Sequence, residues 1–266
     1  GLEVAGVIKS VGKDTKKYKV GDKVCALLGG GGYAEYVAVE EETVLPIPDN
    51  MSFEEASAIP EIYATAYLNL FYVGNAKPGE TLFINSAASG LASAIIPMAK
   101  AFGLYVITTV RGQKKVESVK YLNADVVIDS LSQNVPEVLK QEANNGHPVD
   151  ISIDCLGGPN VNECLKYVNR GCRWIQIATL AGDMSNIDFR NIFVKNIRII
   201  GSTLRSKPIK EKEKILSELK EKIWSKFESR EIEIKVHKIL PIEQVEDAHE
   251  ILYKNENIGK VILKIK

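Results

Sequence analysis

Residues 81–101, TLFINSAASGLASAIIPMAKA, constrain the fold of this chain more than any other stretch. An apolar run ending at Ile84 gives way to Ala87, Ala88, Ser89, Gly90 and Ala92, and then to residues with helical spacing. A strand that enters a helix through small side chains leaves main-chain N–H groups uncovered at the helix N-terminus, where the dipole favours an anion. Close packing of a buried helix on its strand asks for the same small residues. The cluster alone fits both readings, and the segments around it decide.

Past Pro60 the periodicity is that of alternating helices and strands. EIYATAYLNLFYVG has helical spacing, and YVITTV, DVVID, VDISIDC, CRWIQIATL and NIRIIGSTL are β-branched runs separated by helical segments. Such alternation predicts βαβ units and a parallel sheet with helices on both faces. The turn at residues 89–92 therefore follows a strand and opens a helix, the context in which a glycine-rich turn cradles phosphate. Ala92 stands at the last small position of a dinucleotide fingerprint, where alanine is accepted. Pro97 predicts a kink, since a proline inside a helix costs about 3 kcal/mol. In the charge-rich segment 208–228, Ile215, Leu219, Ile223 and Phe227 recur at every fourth position and predict an amphipathic helix.

The two chain ends read differently. GLEVAGVIKSVG, KVGDKVCAL and YAEYVAVE are short extended pieces with Gly-Asp and poly-Gly turns between them, the pattern of a small barrel. The tail supplies one helix, in PIEQVEDAHEILYKNENIG, and a last strand, KVILKIK. Because a domain rarely opens in mid-sheet, further chain is expected upstream of Gly1.

Charge and composition narrow the partners. The net charge is zero, which removes the electrostatic reason to expect nucleic acid or a membrane surface. No apolar run approaches the roughly 20 residues that span a bilayer, and the expectation is a soluble, cytoplasmic protein. Cys25, Cys155, Cys164 and Cys172 match neither a zinc knuckle nor a redox pair and read as reduced thiols. Residues 103–116 contain no acid that could accept from a ribose 2′-hydroxyl; Arg111, Lys114 and Lys115 stand there instead. A solvated helix start would explain those cations, but a cofactor 2′-phosphate explains them better, and NADPH is the expected cofactor.

GLEVAG, VGDKV, GGYAEYVAV, IPEIYATAY, KPGETLFI, AASGLASA, ISIDCLGG and NIGKVIL, in that order, resemble the zeta-crystallin-like NADPH:quinone oxidoreductases of the medium-chain dehydrogenase/reductase superfamily. GQKK, GCRW, LRS and NIGK are especially similar to its stress-induced, tumour-suppressor-regulated animal branch. The resemblance implies an α/β fold with a Rossmann domain inserted in a GroES-like β-barrel that is N-terminally incomplete. The implied boundaries are 1–61 and 229–266 for the barrel and 62–228 for the Rossmann domain.

By position the resemblance makes Ser89, Gly90, Leu91 and Ala92 the pyrophosphate turn and Lys115, with Arg111, the 2′-phosphate ligands. It makes Thr65 a threonine facing the cofactor. Leu156, Gly157 and Ala178 to Leu180 would flank the path from adenosine to nicotinamide, and Asn257 to Lys260 its far end. Departures are GLA where the family has GVG, Pro97 for glutamine, and Ser130 where several members carry a tyrosine near the 2′-phosphate. Leu2 precedes Glu3 where zinc-dependent relatives have a histidine, and His147, His237 and His249 are scattered, so no metal site is expected.

The expected function is zinc-independent hydride transfer from NADPH to a quinone or similar electrophilic carbonyl compound, with no catalytic residue assigned. One alternative is an enoyl reductase, for which Tyr33, Tyr63 and Tyr67 are the candidate proton donors, with core packing as their competing role. Another is a non-catalytic NADPH-binding scaffold. NIRIIGSTL lies near the end of the strand series and is expected at a sheet edge, where the resemblance implies a two-fold homodimer.

Overall fold

The computed structural model describes residues 1–265. In chain order its strands are β1 (Glu3–Val7), β2 (Lys23–Leu27), β3 (Val44–Pro46), β4 (Thr81–Ile84), β5 (Tyr105–Val110), β6 (Val126–Asp129), β7 (Val149–Asp154), β8 (Val168–Gln176), β9 (Arg198–Gly201), β10 (Val236–Pro241) and β11 (Lys260–Lys264). Its α-helices are α1 (Phe53–Ala56), α2 (Pro60–Tyr67), α3 (Gly90–Ala101), α4 (Gln113–Ser118), α5 (Val135–Asn144), α6 (Val161–Leu165), α7 (Phe189–Lys195), α8 (Ile209–Glu228) and α9 (Val245–Tyr253). The chain forms two compact units. One holds Gly1–Tyr67, Ser89–Ala94 and the chain from Leu204 onward; the other holds Leu68–Ala88 and Ile95–Thr203.

The second unit is built on a six-stranded parallel sheet of order β6-β5-β4-β7-β8-β9. All four residues of the central strand β4 are buried, as a strand covered on both faces requires. Phe83, Ile107, Ile128, Leu139, Val149 and Trp174 belong to one buried cluster of this unit. β9 is one of its two edge strands, as expected for NIRIIGSTL.

The first unit carries a three-stranded antiparallel sheet, β1-β2-β3, and a separate parallel pair, β10-β11. Helix α8 joins it because Ile215, Leu219, Ile223 and Phe227 are all buried, the stripe that the four-residue spacing predicts. Phe227 meets Tyr63 of α2 edge to face, with ring centroids 4.9 Å apart. Compactness thus groups α8 with the chain ends, whereas the family resemblance implies a boundary at 228.

One local expectation fails in the first unit. YAEYVAVE forms no strand: Tyr33, Tyr36 and Val39 are exposed, so its alternation has no buried face to stabilise it. Helix α3 continues through Pro97 to Ala101. No helix among the described residues is long and apolar enough to cross a membrane.

Candidate functional site

In an open parallel sheet, ligands bind beyond the carboxyl ends of the strands where the strand order reverses. In the second unit that point lies between β4 and β7, with β5 and β6 to one side and β8 and β9 to the other. A buried polar network ties the strand ends together there. Asp154, 1% exposed, ends β7. Its Oδ1 accepts from the N–H groups of Leu156 (2.8 Å) and Gly157 (3.1 Å) and from Asn85 Nδ2 (3.2 Å). Its Oδ2 accepts from the Trp174 indole at 3.2 Å. Asn85 Oδ1 in turn accepts from Thr109 Oγ1 at 3.3 Å. Ser86, with φ of +62°, donates its N–H to the same hydroxyl at 3.0 Å. A buried carboxylate needs such partners, since an unpaired charge there is costly.

This network shapes the loops that follow β7 and β8. Leu180 N–H donates to Cys155 O (3.1 Å) and Ala181 N–H to Leu156 O (2.8 Å), so the loops clasp each other. Gly157 has φ of +62°, and a Cβ there would lie 3.0 Å from Gly182 O, which explains the glycine. The Gln176 amide donates to Ala178 O at 2.6 Å, while the Leu180 side chain is exposed. Burial pushes the neighbouring Cys155 thiol up to about 11, so it is neutral at pH 7.

At the end of β5, Ser130 donates its hydroxyl to Val110 O at 3.0 Å, which places it beside Arg111. Lys115 is half-buried in α4, and burial lowers its pKa from the usual lysine value. The sequence reading missed Asp129 here. Its Oδ1 accepts from the N–H groups of Gly112 (2.7 Å) and Leu131 (3.0 Å), and its Oδ2 from Ser132 Oγ (3.0 Å). The Leu131 and Gly112 bonds hold its carboxyl below the usual aspartate range. Asp129 lies outside the stretch of residues 103–116 that was read for acids, and only the sheet brings it to that loop.

The first unit holds the other half of the expected residues. Ser89 Oγ accepts from Ala92 N–H at 3.1 Å and so caps α3, and Ala92 is buried. Lys260 crosses the start of that helix: a Cβ on Gly90 would lie 2.9 Å from its Cδ. The Lys260 ammonium forms an ion pair with Glu3 of β1. Thr65 donates its hydroxyl to Glu61 Oε1 at 3.2 Å, and the Glu61 N–H donates to Glu3 Oε2 at 2.9 Å. Asn257 donates to Gly259 O at 3.0 Å and stabilises the turn that enters β11.

The structure thus brings Thr65, Ser89, Gly90, Leu91, Ala92, Asn257 and Lys260 into one unit, and Arg111, Lys115, Ser130, Leu156, Gly157, Ala178 and Leu180 into the other. Glu3 and Glu61, 58 residues apart, were not read as site residues because no local spacing signals their meeting. The start of α3 fits an anionic dinucleotide: its first turn has no acid, Gly90 and Ala92 are small, and the methylenes of a lysine, Lys260, lie over Gly90. Of the candidate proton donors, Tyr63 and Tyr67 are 1% and 0% exposed, and the Tyr67 hydroxyl donates to Glu218 Oε2 at 3.1 Å. Tyr33 is exposed, with its hydroxyl 3.2 Å from His249 Nε2. Among the described residues no three His, Cys, Asp or Glu side chains are arranged to hold a metal ion.

Comparison with known proteins extends this picture. The zinc-binding dehydrogenase family matches residues 90–221, and the alcohol dehydrogenase GroES-like domain matches residues 1–49. A quinone oxidoreductase of Rattus norvegicus is 30% identical over 268 residues, covering 99% of this chain and 78% of the relative. Escherichia coli quinone oxidoreductase complexed with NADPH matches with a TM-score of 0.88 at 25% identity, over 100% of this chain and 82% of that one. The CurK enoyl reductase, 23% identical, shares the fold with a TM-score of 0.86 over 100% of this chain and 79% of its own.

Proposed function

The chain belongs to the medium-chain dehydrogenase/reductase superfamily, with quinone oxidoreductases among its relatives, and from that premise we propose that it reduces quinones or similar electrophilic carbonyl compounds with NADPH and without zinc. The observation that carries this reading is the start of α3, whose first turn carries no acid, whose residues Ser89, Gly90 and Ala92 are small, and whose Gly90 is met by the Lys260 side chain. NADPH, once bound, supplies the hydride. Ser89, Gly90, Leu91 and Ala92 would hold its pyrophosphate, with the Lys260 side chain beside Gly90, and Thr65 would face the cofactor.

Arg111, Lys115 and Ser130 support NADPH over NADH, since they would be the ligands of a 2′-phosphate. Asp129 is already engaged by Gly112, Leu131 and Ser132, which ties it to the fold of this loop. The loops of Leu156, Gly157, Ala178 and Leu180 would flank the cofactor path. Leu2 in place of a histidine before Glu3 supports a zinc-free reaction. A quinone needs no dedicated acid, since its reduced oxygens take protons from solvent.

A second reading rests on Tyr33. Its hydroxyl lies 3.2 Å from His249 Nε2, and a tyrosine in such a contact is the kind of group that reduction of an α,β-unsaturated carbonyl would use to protonate carbon. One experiment separates the readings: NADPH oxidation followed with a panel of quinones and enals. Turnover with quinones supports the first, turnover with enals alone the second, and neither would sink both. The exposed Ile199 on the edge strand β9, with exposed Phe193 and Val194 on α7, supports a homodimer through that edge.

A further inference from the structure

The reading above leaves Glu61 without a role. It lies in the first unit at the start of α2, largely buried, and three groups face it: Glu3 from β1, Lys260 from β11 and Thr65 from α2 itself. Lys260 is committed to Glu3, whose second oxygen accepts the Glu61 N–H at 2.9 Å. Glu61 is left with one neutral donor, the Thr65 hydroxyl at 3.2 Å. Two carboxylates therefore stand beside one ammonium. Burial first, and then the Glu3 charge, raise the Glu61 carboxyl from the usual glutamate value; Lys260 and Thr65 oppose them.

The lysine links this pair to the anion site, because its methylenes cross Gly90 at the start of α3. We propose that Glu61 is the proton-binding group of the cofactor site, taking up a proton when the phosphates of a bound dinucleotide draw the Lys260 ammonium away from Glu3. Without that cation the two carboxylates would face each other in a partly dry pocket. One proton from solvent, bound on Glu61, removes the excess charge. By linkage, cofactor affinity then rises as the pH falls toward the Glu61 titration, and Glu61 titrates higher with cofactor bound. This inference rests on the reading that the start of α3 receives NADPH.

Titration calorimetry with NADPH, run in buffers of different protonation enthalpy at pH values above the ordinary glutamate range, measures the protons exchanged. The wild-type protein is expected to take up a proton fraction that Glu61→Gln does not, and the difference separates Glu61 from the cofactor's own 2′-phosphate. Equal uptake in both proteins overturns the proposal. Should Glu61→Gln fail to fold, carbon NMR of the wild-type carboxyls decides: the Glu61 titration midpoint is expected to rise on adding NADPH, and an unchanged midpoint overturns the idea. Binding without this uptake leaves the functional reading intact, whereas absence of NADPH binding overturns both.

Discussion

Lys260 lies across Gly90 so closely that a Cβ at the glycine would come within 2.9 Å of the lysine Cδ. The start of α3 and the last strand of the chain thus form one surface, and the glycine sets how near the cation approaches the helix N-terminus. Gly90→Ala is predicted to displace Lys260 and weaken NADPH binding. The alanine favours the helix by about 1 kcal/mol, so stability should stay within that margin. Fluorescence titration with NADPH and a thermal melt of the same variant test this; unchanged affinity would contradict it.

Lys115→Ala is predicted to weaken NADPH at least about tenfold while leaving NADH nearly unaffected, since a charge-assisted contact with phosphate contributes about 1.5–3 kcal/mol. Parallel titrations with the two nucleotides measure the ratio. Equal losses would mean that the lysine acts through the fold of α4 and not through the 2′-group.

Asp129 makes stability depend on acid. Its folded pKa is depressed below the usual value of 3.8, so its contribution is present above that value and lost as pH falls through the folded pKa. Asp129→Asn should lower the melting temperature at neutral pH and flatten the decline of wild-type stability in acid. Melts from neutral pH downward check the slope, and parallel curves for the two proteins would refute the assignment.

Association through β9 makes Ile199 the residue to change. Ile199→Lys places a charge on an exposed edge position, a device by which edge strands avoid pairing. The wild-type chain is expected to have a dimer's mass by light scattering at micromolar concentration, and the variant a monomer's. A monomeric wild type, or a variant that stays dimeric, would exclude this edge.

Gly259 has φ of +85°, and a Cβ there would lie 2.3 Å from Lys235 O, the acceptor of the Lys260 N–H that starts the β10-β11 ladder. Gly259→Ala should destabilise by at least about 2 kcal/mol, from left-handed backbone strain together with the clash. Urea unfolding measures the loss, and a midpoint equal to wild type would show that the turn rearranges freely.

What the sequence by itself determined was the periodic part of the fold. The four-residue stripe of α8, the β-branched runs of the parallel sheet and the small residues from Ala87 to Ala92 are local patterns, because each side chain's face is set by its own helix or strand. Ala92, buried, and Ser89, capping α3, stand in the turn that those small residues marked. Alternation alone did not make a strand of YAEYVAVE, since a strand also needs a partner and a buried face. The tertiary structure alone decided the electrostatics. It brought Asp129 to Gly112, Asp154 to Asn85 and Trp174, and Glu61 to Glu3 and Lys260. Those groups are far apart along the chain, and the state of a buried charge depends on which groups folding places within a few ångströms of it.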